Sequence, residues 1–204
     1  MAQTFDMEAF TSRSTDKPFG ETTLSLILDC LPALSPSGPW IAGGALRRTL
    51  QGQEPDSDFD LFFRDKEQLD AFAAQLDAFN MNKVRETEHH LHFRGVLGGK
   101  GPQRDVQLIK FKFYTDAADV IDSFDYTICQ FAFDGKSLTC GDFALWDLGR
   151  KRLAVHKITF PVSSARRLLK YAQQGYVACA GCLNALVVAT ANNPELRTDI
   201  EYVD

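Results

Sequence analysis

The sequence predicts an α/β fold, α+β in strict terms: a small mixed sheet flanked by helices, followed by a short helical C-terminal piece. Three observations carry this. Up to Gly141, short apolar runs of strand length alternate with segments of helical spacing. The pair Asp134-Gly135 separates two apolar runs and suits a type I′ hairpin turn. Beyond Gly141 the strand patterns stop and helical spacing takes over.

Taken in order, residues 1–20 carry polar and turn-forming types and read as an irregular or partly helical arm. Leu24, Ile27, Leu28 and Leu31 give residues 21–31 a helical spacing, and the Pro/Ser-rich stretch after them is a loop. Residues 40–42 form a short strand, and residues 45–51 a helix ended by Gly52. A turn over 53–57 leads to a strand over 58–63 and an amphipathic helix over 66–79. Strands follow at 84–85, 89–95 and 104–111, the last two joined by the Gly-rich hairpin-type connection GVLGGKGPQ. Residues 116–123 form a helical turn. Residues 126–133 and 137–140 form a hairpin, and helices cover 145–153, 163–174 and 176–191. The expected organisation is an arm over 1–37, an α/β head over 38–155 and a helical segment over 156–204.

The chain has 204 residues, 45% hydrophobic and 24% charged, as an ordinary globular fold requires. No apolar run approaches the roughly 18 residues of a membrane span. The N-terminus lacks the basic start and apolar core of a signal peptide, so a cytoplasmic protein with no membrane partner is expected. The five cysteines are odd in number and irregularly spaced, which fits reduced thiols. A net charge of −5 disfavours broad, non-specific binding to polynucleotide, while Arg47, Arg48, Lys110, Arg166, Arg167 and Lys170 offer a local basic patch.

The segment WIAGGALRRTLQGQEPDSDFDLFF, residues 40–63, holds the chemistry. Asp58 and Asp60, one residue apart on a strand, point to the same face. Two like charges among apolar neighbours repel, and a divalent metal resolves the repulsion because hard cations take carboxylate oxygens. The Gly43-Gly44 turn opens a helix and offers backbone N–H groups to an anion. A metal beside a phosphate cradle suggests nucleotide chemistry. Asp105, on an alternating strand whose one face carries Asp105, Gln107 and Ile109, is the candidate third carboxylate for two-metal phosphoryl transfer.

Two other motifs are set aside. Glu88-His89-His90-Leu91-His92 puts His90 and His92 on one strand face, but no further ligand at suitable spacing completes a zinc site, so a solvated hairpin is expected. Cys179-Ala180-Gly181-Cys182 lies in an apolar helical stretch and reads as helix packing. The alternating phenylalanines, Phe59, Phe62, Phe63, Phe111, Phe113, Phe131 and Phe133, are expected mostly in the core.

The run GG-A-L-R-x-x-L-x-G followed by D-F-D resembles the head-domain signature of class II CCA-adding enzymes and bacterial poly(A) polymerases, in the polymerase-β-like nucleotidyltransferase superfamily. That family writes GGxVRDxLLG, a short turn, then DxD. Gly43, Gly44, Arg47, Leu50, Gly52, Asp58 and Asp60 fall in register. The resemblance continues through Asp105 with Lys110 five residues on, and through SFDYTICQFAFD (residues 123–134), similar to the family's RRDFTINAMAYD. It runs on past Asp147 and His156 to RRLLKYAQQGY (residues 166–176), similar to the family's neck helix.

The resemblance implies a nucleotidyltransferase fold with a helical neck. It also implies transfer of NMP from an NTP, ATP or CTP, to an acceptor hydroxyl. Mg²⁺ (or Mn²⁺) would be held by Asp58, Asp60 and Asp105, with the same three carboxylates catalytic. Gly43, Gly44, Arg47, Lys110, Asp125 and Arg166 would contact the nucleotide. The departures bear on substrate. Arg48 stands for the signature Asp, Ser123 and Phe124 for paired arginines, and Cys129 for Asn. The family's base-reading element is reduced to Val162-Ser163-Ser164-Ala165-Arg166, and an Arg alone lacks the acceptor half of such a readout. The chain ends at Asp204, before the family's tRNA-carrying body and tail domains, so a minimal form is expected. The acceptor stays open between an RNA 3′ end, a protein and a small molecule, as does oligomeric state. A catalytically silent nucleotide- or RNA-binding module is the alternative.

Overall fold

The structure is a computed structural model and describes residues 2–6, 24, 28–55, 58–97 and 102–192. The strands are β1 (Gln3–Asp6), β2 (Trp40–Ala42), β3 (Phe59–Phe62), β4 (Met81–Glu86), β5 (His90–Gly95), β6 (Arg104–Ile109), β7 (Phe131–Phe133), β8 (Ser137–Cys140), β9 (Arg152–Leu153) and β10 (Val177–Ala178). The helices, numbered among the described residues, are α1 (Gly44–Leu50), α2 (Lys66–Leu76), α3 (Ala117–Asp122), α4 (Ala144–Gly149), α5 (Pro161–Gln173) and α6 (Ala180–Ala191).

Eight strands form one mixed sheet in the order β1-β8-β7-β2-β3-β6-β5-β4. The α/β class with a sheet flanked by helices is therefore as the sequence predicts, although the sheet is larger than expected. β3 and β6 run parallel at its centre, and the other neighbours are antiparallel. The pleat sorts the side chains. Ile41, Phe59, Leu61, Phe63, Val106, Leu108, Phe131 and Phe133 enter the main core together with Ala45 and Leu46 of α1 and Leu69 and Phe72 of α2. On the other face a smaller cluster of Trp40, Ala42, Phe62, Tyr114, Val120, Ile121 and Ala132 lies under α3. That cluster covers the second face around β2, β7 and the Phe62 end of β3. Toward the rest of β3, β6 and β5 the face opens, and the polar side chains of interest stand there.

Four expectations are corrected. Part of the arm is strand: β1 pairs antiparallel with β8, Thr4 opposite Thr139. The strand expected from Tyr126 starts instead with a 3₁₀ turn over Thr127–Cys129. Its side chains are drawn elsewhere: the Thr127 hydroxyl donates to fully buried Asp147 (2.6 Å) and the Tyr126 hydroxyl to the Ser164 carbonyl (2.7 Å). The helix expected over 145–153 ends at Gly149, where Lys151 turns left-handed (φ 52°) and releases the chain into β9. The helix expected from Tyr176 starts only at Ala180, because residues 177–178 pair parallel with β9. Strands thus do not stop at Gly141, and the two-stranded β9–β10 sheet crosses the expected boundary at 155. The helix expected over 21–31 lies largely outside the described residues, as does the tip of the 96–103 connection. No helix among the described residues is long and apolar enough to cross a membrane.

Candidate active site

Full burial of Phe59 and Leu61 on one face of β3 forces Asp58 and Asp60 onto the other. Asp58 is exposed just before the strand, and Asp60 is partly buried within it. In the parallel β3–β6 pair, Asp60 stands beside Gln107. In the antiparallel β5–β6 pair, His92 faces Gln107 and Arg94 faces Asp105. The same sheet face therefore presents all three predicted carboxylates with Gln107, His92 and Arg94 among them. Gln107 Nε2 donates to Asp58 Oδ2. His92 Nε2 lies 2.5 Å from Asp105 Oδ1, and Arg94 Nε donates to the same oxygen at 2.7 Å. Arg94, seconded by His92, holds the Asp105 carboxyl below the usual carboxylate range.

Asp60 behaves oppositely. Burial first, and then the Asp58 charge, push its carboxyl up to about 7, against the opposing pull of Arg167 and Lys170. Its folded pKa lies above its unfolded one, so between about pH 4 and 7 the native state keeps a proton that the unfolded chain has lost. Stability is full below that window and falls as pH rises through it, with a ceiling of about 4 kcal/mol at ~1.4 kcal/mol per unit. Thermal melts in chelator should show the protein less stable at pH 8 than at pH 5. Asp60→Asn should flatten this difference, and an unchanged pH slope in that variant would show that the proton sits elsewhere.

Helix α5 packs on the head through a polar stripe. Its Pro161 start is pre-set for a helical first turn, and Gly175, at φ 86°, ends it. Asp125, 7% exposed, accepts from the Ser164 hydroxyl (2.9 Å) and from Arg167 Nη1 (2.7 Å). Arg47, 3% exposed, reaches from α1 to the Tyr176 hydroxyl (3.1 Å) and Gln174 Oε1 (3.0 Å), with its guanidinium over the rings of Tyr171 and Tyr176. Both residues thus fasten the head to α5. Gly43, at φ 82°, makes the turn from β2 into α1, and its N–H donates to the Phe131 carbonyl. The Phe124 ring lies against it: a Cβ at Gly43 would stand 3.2 Å from Cε1. Gly44 is the first residue of α1. Lys110 is not among the carboxylates. It follows β6 on the opposite pleat, and its ammonium pairs with Glu86 at 2.7 Å. Arg166 is exposed beside the head-facing stripe, and its neighbour Arg167 makes the contact to Asp125.

Asp58 and Asp60 fit a hard divalent cation, since a buried carboxyl opposed by a second carboxylate is relieved by positive charge. Asp105 Oδ1 is engaged by His92 and Arg94, which leaves Oδ2 as the oxygen it can offer another partner. Among the described residues no group of three or more His, Cys, Asp and Glu side chains converges as a cage.

Sequence reasoning missed His92, Arg94 and Gln107 as partners of the carboxylates, and it chose Arg166 over Arg167. Alternation along β5 and β6 was the available signal for the first three. His90, on the same face as His92, has its pKa lowered mainly by burial. The Cys179–Cys182 motif is structural here: Cys179 Sγ accepts from the Cys182 N–H at the start of α6, and Cys182 is buried.

A family model described as "Gabija anti-defense 2 family protein" matches residues 3–151. A curated relative, "Gabija anti-defense 2" from Bacillus phage SPbetaL7, is 30% identical over 151 residues, which is 72% of this chain and 36% of the relative. The chain thus spans about a third of that relative's length. Among solved structures, the Thermotoga maritima CCA-adding enzyme complexed with tRNA superposes with a TM-score of 0.60 at 18% identity, covering 95% of this chain and 49% of the enzyme. A CCA-adding enzyme complex with CTP gives 0.56 at 19%, covering 78% and 40%. At these identities the likeness is one of fold, the nucleotidyltransferase fold.

Proposed function

The chain belongs to the Gabija anti-defense 2 family, and we propose that it acts there as a metal-dependent nucleotidyltransferase, moving NMP from an NTP to an acceptor hydroxyl with release of pyrophosphate. The observation that carries this reading is the pair Asp58 and Asp60, aligned on the open sheet face near the cations of α5, with Asp60 driven toward neutrality by its neighbour and its burial. Asp58 and Asp60 would hold Mg²⁺ or Mn²⁺, which when bound neutralises charge on the phosphates. Gln107 fixes the Asp58 carboxylate. Asp105, one strand over, orients the acceptor. The Gly43-Gly44 turn borders the phosphates, and Asp125 and Arg47 keep α5 in place on the head. Positioning and charge supply most of the rate in such transfers.

The family name attaches to action against a defence called Gabija. On this reading the acceptor is a component of that defence, an RNA 3′ end, a protein hydroxyl or a small molecule, modified in the cytoplasm where NTPs are plentiful. Incubating the protein with each labelled NTP, Mg²⁺ and total cellular RNA or protein should transfer label to a defined band. No transfer from any NTP to any fraction would overturn the proposal.

Two observations favour a second reading, a silent nucleotide- or RNA-binding module. Asp105 is already engaged by His92 and Arg94, and Phe124 packs on Gly43. Mg²⁺-dependent NTP binding with no pyrophosphate release would select it.

A further inference from the structure

We propose that Arg167 and Lys170 on α5 are the cations that hold the nucleotide's phosphates, so that the site grips a triphosphate without reading its base. This rests on the nucleotidyltransferase reading and deepens it. The placement follows from a chain of contacts. Asp60 pairs with Ala42 across β2 and β3, Gly43 follows Ala42, the Phe124 ring lies on Gly43, and the next residue, Asp125, receives Arg167 at 2.7 Å. Ser164, Arg167, Tyr171 and Gln174 all bond to the head, through Asp125, Tyr126, Cys129 and Arg47. That spacing is one face of a helix, so α5 lies lengthwise on the head, with Arg167 at Asp125 and, through Phe124 and Gly43, next to the strand pair that carries Asp60. Lys170 lies one turn from Arg167, exposed on the flank of this face. Both charges are felt at Asp60, where they oppose the effect of burial.

A triphosphate brought beside two carboxylates needs cations in addition to a metal. On the head, Arg94 stands among the carboxylates and is bonded to Asp105, and the other candidates are withdrawn from them. Residue 124 is a phenylalanine packed edge-on to Phe62 at 5.7 Å, Arg47 is buried, and Lys110 pairs with Glu86. A base, by contrast, is read by paired donors and acceptors. The Ser164 hydroxyl is 1% exposed and spent on Asp125, and Gln174 Oε1 is spent on Arg47. What α5 offers is charge: exposed Lys170, and the Arg167 nitrogens other than the Nη1 given to Asp125.

The test is competition binding to the full chain with Ca²⁺ in place of Mg²⁺, using a fluorescent NTP displaced by ATP, CTP, GTP, UTP or inorganic triphosphate. The four NTPs should compete within about threefold of one another, and inorganic triphosphate should displace them. Lys170→Gln, an exposed change that spares the fold, should weaken every competitor by about tenfold, and Lys170→Arg should restore binding. A variant that binds like wild type, or a preference for one base beyond about thirtyfold, overturns the inference while leaving the transferase reading intact. Triphosphate binding that depends on Lys170 but yields no pyrophosphate in Mg²⁺ supports the inference and overturns the transferase reading. A wild-type protein that binds no triphosphate overturns both.

Discussion

Asp58→Ala is expected to lower label transfer from NTP by on the order of 10³-fold, about 4 kcal/mol of transition-state stabilisation, while leaving the fold intact. The two halves of this expectation come from different places in the structure. Asp58 is exposed and precedes β3, and its bonded partner Gln107 is itself only partly buried, so its removal orphans little. Its charge, however, is one of the two causes that hold Asp60 near 7. Without it Asp60 ionises more readily, so the variant should be as stable as wild type or slightly more so at pH 8. Full turnover in a variant that melts normally would remove Asp58 from the chemistry, and with it the proposed function. Asp58→Asn separates the roles further. It keeps a polar group for Gln107 and loses the metal-directed charge, so it should be as inactive as Asp58→Ala.

The parts of this site that were legible in the sequence are those fixed by the period of a strand. Asp58-Phe59-Asp60 alternates about a phenylalanine that must be buried, so the face of both carboxylates follows from residue types alone. Asp105 and Gln107 alternate about Val106 in the same way, and the parallel register of β3 on β6 brings the two sets together. What was not legible depends on register and phase. His92 and Arg94 reach Asp105 only because β5 pairs on β6 in one particular register, which no local pattern announces. Choosing between Arg166 and Arg167 needs the rotation of α5 to within 100°, and its apolar residues mislead: Leu169 is 64% exposed and Val162 47%. The side facing the head is instead marked by Ser164, Arg167 and Tyr171, polar residues whose partners are distant in sequence. The same holds for β9 and β10, two-residue strands too short to carry a period.

Arg47→Ala is expected to cost about 3 kcal/mol and to loosen α5 from the head before the rest unfolds. The guanidinium is buried and held by neutral groups, the Tyr176 hydroxyl, Gln174 Oε1 and the faces of two tyrosines. Each charge-assisted bond contributes about 1.5 kcal/mol or more, and each ring contact about 2 kcal/mol when desolvated. Against this stands the cost of keeping a cation in the interior, made worse by an Nε without a partner. The opposing terms make the choice of substitution informative. Arg47→Ala loses the attraction and leaves a cavity between Tyr171 and Tyr176. Arg47→Met fills the space and removes the buried charge with its desolvation cost, while giving up the two hydrogen bonds and the two cation–ring contacts, so it should cost less than Arg47→Ala. Hydrogen exchange along residues 161–174 measures the loosening directly. Faster exchange there in Arg47→Ala, with β3 and β6 unchanged, is the expected pattern. Uniform protection in both variants would mean that Asp125, Tyr126 and Cys129 fasten the helix without Arg47. The pair also separates two roles for this residue. If Arg47 acts on the nucleotide only by holding α5, Arg47→Met keeps triphosphate affinity within about threefold of wild type, whereas a direct phosphate contact would be lost in both variants.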